Sequence, residues 1–292
     1  MVKNTNGTRE HFVPHGAIFA EQVSKPEVAT ALREHREDRD ALLASLVVTL
    51  RADPRIRAAW LWGSFGRGEA DDLSDLDLWL VVADDAVDDI GASLRDYAQR
   101  MGSFITGGEA PQNAPAGGGY FSSLHEGRHG LLHLDCYWQP QSAAEDVPTQ
   151  AVLFDRFQEP YTASVQQSTA PQPPEALTDE HERIVDGIGF GWLMLSIAAK
   201  KLARDPASDM SLMMYPRLGL EDAAVLLGFK GFIAPSEWLV PVKPSEKVRC
   251  LRSLAHKTEQ LSEAANGQGL NLSPQSAACL SRYLNIVEGI LT

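Results

Sequence analysis

The chain has 292 residues, 44% of them hydrophobic, and carries a formal net charge of −13 from 26 basic and 39 acidic residues. This length accommodates two domains of ordinary size, with a core large enough to need no disulfide or metal staples. The negative charge argues against a protein built mainly to bind nucleic acid, and the sequence has no long basic run that would bind one. An acidic balance suits a cationic small-molecule substrate, but many ordinary cytoplasmic proteins have it too.

Three further features predict a soluble, cytoplasmic protein without a membrane segment. The three cysteines, Cys136, Cys250 and Cys279, are far apart and form no C-x-x-C pair, as expected in a reducing compartment. Residues 1–23 lack an apolar segment flanked by basic residues, so no signal peptide is expected. The longest nearly apolar stretch, Gly187 to Ala199, is too short to span a bilayer.

The first part of the chain is predicted to alternate helices and strands. After an irregular arm from about Lys3 to Val23, apolar residues at helical spacing predict a helix from Pro26 to Ala52, which Asp53-Pro54 ends. A short run of bulky apolar residues predicts a buried strand from Ile56 to Trp62. The next predicted elements are a glycine-rich turn at Gly63–Gly68, a strand from about Asp75 to Val82, and a helix from Ala86 to Met101.

The middle of the chain is predicted to be a loop followed by short strands. Gly102 to Gly119 is rich in glycine and proline, which favours a long loop. Two strands are expected at Tyr120–Leu124 and Gly130–Trp138, with a turn at Glu126–His129 between them. Ala151–Phe154 is predicted to be a further strand.

The last part of the chain is predicted to be helical. Proline and small polar residues at Gln166–Pro174 indicate an extended linker. Apolar residues at spacings of three and four predict a long helix from Ile184 to Leu202, and Ser273-Pro274 is typical of the start of a last helix. We therefore predict an α+β fold in which a mixed β-sheet flanked by helices precedes an α-helical bundle, with domains at residues 1–165 and 177–292 and a linker at 166–176.

The segment from Trp60 to Val82 carries the residues that most strongly indicate chemistry. Asp75 and Asp77 are two positions apart on a predicted strand, so both side chains point to one face, and the alternating leucines face the core. Carboxylates this close repel each other unless a cation or a shared proton lies between them. Mg²⁺ binds carboxylate and phosphate oxygens together, and two such ions can hold both oxygens of an in-line displacement.

The turn before these aspartates is predicted to bind phosphate groups. Gly63 lets backbone N–H groups approach a phosphate closely, and the Ser64 hydroxyl adds a donor. Arg67 either neutralises charge on a triphosphate or is simply solvated, and both interpretations stay open. Ser74, next to Asp75, is included as a further nucleotide-binding candidate.

Together these residues resemble the signature of the DNA polymerase beta superfamily of nucleotidyltransferases. That signature is a hydrophobic residue, Gly, Gly or Ser, a spacer, and then Asp-hydrophobic-Asp, and here Trp62-Gly63-Ser64 precedes Asp75-Leu76-Asp77. The stretch GSFGRGEADDLSDLDL is most similar to the small-molecule branch, which includes aminoglycoside and lincosamide nucleotidyltransferases. The resemblance implies Mg²⁺-dependent transfer of a nucleoside monophosphate, AMP from ATP being the first expectation, to a hydroxyl group of a small molecule. The acceptors that this resemblance implies include aminoglycoside-like antibiotics, and two Mg²⁺ ions are expected.

The superfamily uses a third carboxylate on a neighbouring strand, and Asp135 in GLLHLDCYW is the best match. An aspartate within an otherwise apolar strand is costly without a partner, and a shared metal ion would supply one. The resemblance implies that Asp135 completes the catalytic metal site with Asp75 and Asp77 and helps to deprotonate the acceptor. Because a long glycine-rich segment separates Asp77 from Asp135, Glu109 and Glu126 remain alternatives.

The helical half resembles the C-terminal domains of antibiotic nucleotidyltransferases, most clearly at Trp192–Asp205. The basic residues Lys200, Lys201 and Arg204 either reach the nucleotide phosphates or complement the helix dipole. The spacing of His125, His129 and His133 does not favour a histidine metal site.

Two other functions remain open from the sequence. The similarity to minimal nucleotidyltransferases of toxin–antitoxin pairs would make the acceptor a protein side chain. An inactive, nucleotide-binding regulatory relative is the other alternative. In every case a nucleoside triphosphate is the expected partner, and neither nucleic acid nor a membrane is expected as a partner.

Overall fold

The computed structural model describes residues 16–100, 102–144, 151–157, 159, 179–208, 214–233 and 243–292. The predicted linker at 166–176 and most of the N-terminal arm therefore lie outside the described residues. The predicted domain boundaries stay predictions.

Helices and strands alternate up to α3, four strands follow, and the regular elements of the described residues from 179 onwards are all helices. The strands are β1 (Ile56–Leu61), β2 (Leu76–Val82), β3 (Phe104–Glu109), β4 (Gly119–Gly127), β5 (Gly130–Pro140) and β6 (Ala151–Asp155). The helices are α1 (Pro26–Ala52), α2 (Gly63–Arg67), α3 (Val87–Arg100), α4 (Asp179–Arg204), α5 (Met214–Leu226), α6 (Pro244–Gly267) and α7 (Ser276–Leu291).

The six strands form one mixed sheet in the order β3-β4-β5-β2-β1-β6. Strands β2 and β5 are parallel neighbours, and the other neighbouring pairs are antiparallel. Helices flank this sheet and a helical region follows it, so the predicted α+β fold is confirmed. None of the described helices combines the length and the apolar character that crossing a bilayer requires.

One face of the sheet packs against α1 and α3. Leu76, Leu78 and Leu80 point to this face, as their alternation predicts, and all three are fully or almost fully buried. From α1, the stripe Leu42, Leu46 and Leu50 joins the same core. The residues between the β2 leucines consequently point to the opposite face, where α4 lies.

The helical region packs around α4. The predicted apolar stripe of α4, from Ile184 through Trp192 to Leu202, is buried against α5, α6 and α7. Ile105, Leu124 and Leu131 of the sheet belong to the same apolar core. The second face of the sheet and the helices therefore share one core, and a cleft between them is a place for a site.

The prediction of a long loop from Gly102 to Gly119 was wrong in its first part. Phe104–Glu109 forms the edge strand β3, antiparallel to β4. Glycines usually weaken a strand. Because Gly107 and Gly108 have no side chains, the sequence lacks the alternation of apolar and polar residues that indicates a strand. A Cβ at Gly107 would lie 2.8 Å from the carbonyl oxygen of Ser122, so the close approach of β4 requires glycine here.

His35 of α1 gives the fold a dependence on pH. Its side chain is buried, and this burial, with Arg39 nearby, lowers the pKa of His35 to about 4 from 6.5. The unfolded chain therefore binds more protons than the folded one between these values, so the stabilising contribution is complete above pH 6.5 and is lost progressively as pH falls from 6.5 to 4. Between pH 7 and pH 5 the wild type should lose about 2 kcal/mol more of its free energy of unfolding than His35→Gln.

Urea denaturation of both proteins at the two pH values measures this difference. His256→Gln, at an exposed position of α6, is the matched control and should follow the wild type. Equal losses in the wild type and His35→Gln would show that His35 does not carry the effect.

Candidate active site

The predicted glycine-rich turn after β1 is a single turn of helix, α2. Gly68 closes it with a left-handed φ of 72°, the conformation that commonly ends a helix at glycine. The Gly68 N–H donates to the carbonyl of Phe65 (3.1 Å), and the Glu69 N–H donates to that of Ser64 (2.8 Å). The segment from β1 to β2 is thus an ordered connection at the end of the strand.

Gly63 brings this turn into contact with Asp77. Its φ is +57°, and a Cβ at this position would lie 1.9 Å from Oδ2 of Asp77. Next to it, the Trp62 N–H donates to the Asp77 carbonyl (2.8 Å). The absence of a side chain at Gly63 therefore allows the backbone of the turn to lie directly against the Asp77 carboxylate.

Ser64 and Arg67 lie on the same turn in different environments. Oγ of Ser64 is buried and has no hydrogen-bond partner among the described residues, an arrangement that is unfavourable unless a ligand supplies one. Arg67 is about half exposed and pairs with Glu69, Nε to Oε2 at 2.6 Å. The structure therefore keeps Ser64 as a phosphate-binding candidate, and both interpretations of Arg67 stay predictions.

The strand registers align the predicted carboxylates across the sheet. Asp77 of β2 is paired with Asp135 of β5, and Asp135 is paired with Ser122 of β4. Side chains directly opposite each other on neighbouring strands lie on the same face. The structure thus brings together Asp75, Asp77 and Asp135 at the face that α4 covers.

His133 is the residue of this cluster that the sequence analysis did not select. Side-chain donor atoms of Asp75, His133 and Asp135 all lie within 4.8 Å of one another. Nδ1 of His133 is 3.3 Å from Oδ2 of Asp75, and Nε2 is 3.0 Å from Oδ1 of Asp135 and 2.9 Å from Oγ of Ser122. His133 and Asp135 are two positions apart on one strand, so their side chains share a face, and this alternation was the available signal.

The other two histidines of the predicted set lie elsewhere. Nε2 of His125 is 3.1 Å from Oγ of Ser123, and His129 pairs with Glu34 of α1. The three histidines therefore form no common site, and of the three His133 is the one that joins the aspartates.

Two cations compensate two of the three aspartates. Burial opposes ionisation of Asp75, but Lys200 and His133 hold its pKa well below its ordinary value. Burial has the same effect on Asp135, and His133 and the Tyr120 hydroxyl nevertheless lower its pKa. Burial alone would lower the pKa of His133, whereas Asp135 and Asp75 raise it to about 10.

Asp77 is the carboxylate that the nearby cations compensate least. Burial, with Asp75 and Asp135 beside it, raises the pKa of Asp77 to about 7. Among the described residues, no hydrogen-bond donor reaches its carboxylate oxygens. A divalent cation fits this arrangement, because carboxylates with one imidazole form a suitable donor set and the added charge would favour ionised Asp77.

Helix α4 holds the loop before β2 through two ion pairs. Lys200 Nζ pairs with Asp75, and one helical turn later Arg204 binds Asp71 with Nε–Oδ2 at 2.8 Å and Nη2–Oδ1 at 2.5 Å. Lys200 and Arg204 are four residues apart on α4, and their partners Asp75 and Asp71 are also four residues apart. Of the predicted basic cluster, Lys201 has no ion pair among the described residues.

Ser74 belongs to this loop. Its buried hydroxyl donates to Asp71 Oδ1 (3.0 Å) and accepts from the Asp71 N–H (2.9 Å) and from Arg204 (3.2 Å). These bonds position the loop, and a role of Ser74 in nucleotide binding stays a prediction.

The alternative carboxylates do not join the cluster. Glu126 pairs with Arg282 of α7, with Oε1 and Nη2 2.7 Å apart. It lies four positions along β4 from Ser122, and four positions span about 13 Å along a strand. Glu109 ends β3 and is exposed. Asp135 is therefore the third carboxylate at this place.

Several aromatic side chains border the carboxylates, and two of them, Trp79 and Tyr137, follow Asp77 and Asp135 by two positions on the same strands. Trp79 and Tyr137 stack with ring centroids 5.2 Å apart at 15°, and Trp62 meets both rings edge-on. Tyr120 packs on Tyr137 at 4.9 Å and donates from its hydroxyl to Asp135 Oδ1 at 2.5 Å. The carboxylates thus lie between an aromatic wall and the cationic end of α4.

Comparisons with known proteins give little similarity. No protein-family model matches the sequence, and no curated protein matches it significantly. One solved structure that resembles the chain is a STING-associated CdnE c-di-GMP synthase from Capnocytophaga granulosa, with 12% sequence identity over 93% of this chain and 83% of that chain. Its TM-score is 0.27, a value at which the similarity supports no statement about function.

Proposed function

We propose that the chain is a Mg²⁺-dependent nucleotidyltransferase that transfers a nucleoside monophosphate, AMP from ATP in the first instance, to a hydroxyl group of a small molecule. The observation that carries the proposal is the contact between Gly63 and Asp77, which joins a phosphate-binding type of turn to a cluster of three carboxylates. The resemblance of the segment from Trp62 to Asp77 to the superfamily signature supports the same conclusion.

Asp75, Asp77 and Asp135 are the residues that would hold Mg²⁺, with two ions expected. A metal ion held there would supply positive charge to the triphosphate and to the leaving pyrophosphate. His133 lies between Asp75 and Asp135, with Nε2 hydrogen-bonded to Oδ1 of Asp135 and Nδ1 3.3 Å from Oδ2 of Asp75. His133 is thus a positioning residue in this proposal, although its nitrogen atoms also belong to the set of possible ligands.

The protein side chains have separate tasks in the proposed reaction. The backbone of Gly63 and the unpaired hydroxyl of Ser64 bind the β- and γ-phosphates, and Lys200 adds positive charge beside Asp75. The acceptor oxygen bonds to the α-phosphorus, the bond to pyrophosphate breaks, and Asp135 takes the hydroxyl proton. Tyr120 and His133 hold Asp135 in the orientation for that proton transfer.

Aminoglycoside-like antibiotics are the acceptors we propose to test first, and resistance to them would be the consequence. The experiment measures pyrophosphate release from ATP, GTP, CTP and UTP with Mg²⁺, across aminoglycosides, lincosamides and other hydroxyl-bearing metabolites. Release that depends on one acceptor supports the proposal and identifies both substrates. Nucleotide binding without release from any acceptor would overturn it and favour a protein acceptor or a regulatory role.

A further inference from the structure

A small cavity of about 20 Å³ adjoins the carboxylate cluster where several elements of the fold meet. Asp75 and His133 of the cluster line it, together with Ser196 and Lys200 of α4, His35 of α1 and Tyr283 of α7. The rings of His35 and Tyr283 lie against each other, with their centroids 5.5 Å apart. The cavity therefore connects the cluster to two helices, α1 and α7, that carry none of its aspartates.

Two histidine nitrogens at this cavity have no hydrogen-bond partner among the described residues. They are Nδ1 of His35 and Nδ1 of His133, and both atoms are buried. Oδ2 of Asp75 lies 3.3 Å from Nδ1 of His133, but the two atoms are not aligned for a hydrogen bond. A buried polar atom without a partner is unfavourable, so both nitrogens indicate a further molecule that bonds to them.

The size and polarity of the cavity fit one water molecule. A polar cavity holds a water when its volume exceeds about 10–15 Å³ and two to four polar groups face it. The volume of about 20 Å³ meets the first condition. The ring nitrogens and the side chains of Ser196 and Tyr283 meet the second, whereas an organic ligand or a hydrated ion needs far more room.

The two histidines can bond to one water in complementary ways. Burial of His35 lowers its pKa to about 4, so the ring is neutral and one of its nitrogens is an acceptor. His133 lies between two carboxylates, which favour a protonated ring that donates from both nitrogens. A water molecule can therefore accept from His133 and donate to His35.

We propose, on the premise of the nucleotidyl transfer argued above, that one water molecule in this cavity bridges Nδ1 of His35 and Nδ1 of His133, and that His35 is a positioning residue of the site. The bridge fixes the plane of the His133 ring, whose Nε2 bonds to Oδ1 of Asp135 at 3.0 Å. Asp135 takes the hydroxyl proton in the proposed reaction, so the orientation of this base depends, through the bridge, on a side chain of α1.

Two variants of nearly equal shape test the bridge. His35→Asn keeps a polar atom close to the position of Nδ1, whereas His35→Leu replaces that atom by a methyl group. A crystal structure of the full chain should show the water in the wild type and in His35→Asn, and should lack it in His35→Leu. The ¹⁵N resonance of His133 Nδ1 should shift in His35→Leu and stay close to its wild-type value in His35→Asn.

Steady-state kinetics measures the positioning role. We expect kcat of His35→Leu to fall about tenfold, the lower end of the effect of losing an outer partner of a metal-site residue. KM for ATP should stay the same, and His35→Asn should keep most of the activity. His125→Leu is the matched control, because His125 is comparably buried and its Nδ1 also lacks a partner among the described residues, but it does not line this cavity. This control should leave kcat per folded molecule and the His133 resonance unchanged.

A wild-type structure without the water, or a His133 resonance that is the same in His35→Leu and in the wild type, would overturn the inference. The outcomes also separate it from the proposed function. If an acceptor is found and kcat is unchanged in His35→Leu, the transferase function stands and the positioning role fails. If the water and the resonance behave as expected but no nucleotide is transferred to any acceptor, the bridge stands and the transferase function fails.

Discussion

Replacing Asp77 by asparagine should abolish nucleotidyl transfer and leave the fold intact. Asp77 is the carboxylate without a hydrogen-bond donor among the described residues, and it lies against the turn at Gly63. Asparagine keeps the size of the side chain but removes the charge that a cation needs. We expect transfer to fall by about 10³-fold or more, on the order of the loss of a preorganised electrostatic group at a reacting centre.

The same variant should be at least as stable as the wild type in the presence of a chelator. Asp75 and Asp135 lie beside Asp77, so removing one negative charge relieves repulsion in a partly buried cluster. Thermal denaturation in EDTA measures this, with pyrophosphate release measured in Mg²⁺. Asp85→Asn, which removes a charge at an exposed position after β2, is the matched control for both measurements. Transfer at the wild-type rate in Asp77→Asn would refute the metal-binding role.

Replacing Gly63 by alanine should inactivate the protein through a different cause. The left-handed φ costs a non-glycine residue about 1–2 kcal/mol. The new Cβ would in addition lie 1.9 Å from Oδ2 of Asp77, so either the turn or the carboxylate must move. We expect activity to fall by about 10²-fold or more, because an ångström of misplacement at a reacting centre has effects of that order.

Gly68 offers a matched control on the same turn. Its φ is +72°, yet a Cβ there meets no atom within 4 Å. Gly68→Ala should therefore lose a similar free energy of unfolding from its φ, while nucleotidyl transfer per folded molecule stays close to that of the wild type. Chemical denaturation and steady-state kinetics of both variants separate the two effects. Equal kinetic defects at the two positions would show that the contact with Asp77 is not the cause.

The elements with strong periodicity were the ones that could be predicted from the sequence. Helix α1 was predicted with its observed bounds, because its stripe of leucines and the Asp53-Pro54 end are local signals. Strand β3 was missed because Gly107 and Gly108 carry no side chains to alternate. Helix α2 was predicted as a turn because five residues are too few to show a helical period.

The candidate site could be predicted only where its residues are close in sequence. Asp75 and Asp77 share a face by alternation, and the strand of Asp135 could be recognised by its apolar pattern. The ion pairs of Lys200 with Asp75 and of Arg204 with Asp71 join residues 125 and 133 positions apart, and no local pattern predicts such a pairing. His133 gains its position from two strand registers, which follow from the folded sheet.

Helix α4 belongs both to the core of the helical region and to the candidate site. Its apolar stripe is buried against α5, α6 and α7, and its last turns carry the cations that hold the loop of Asp71 and Asp75. A change in the packing of α5, α6 or α7 that shifts α4 would therefore also move Lys200 and Arg204, and with them the carboxylates that they hold.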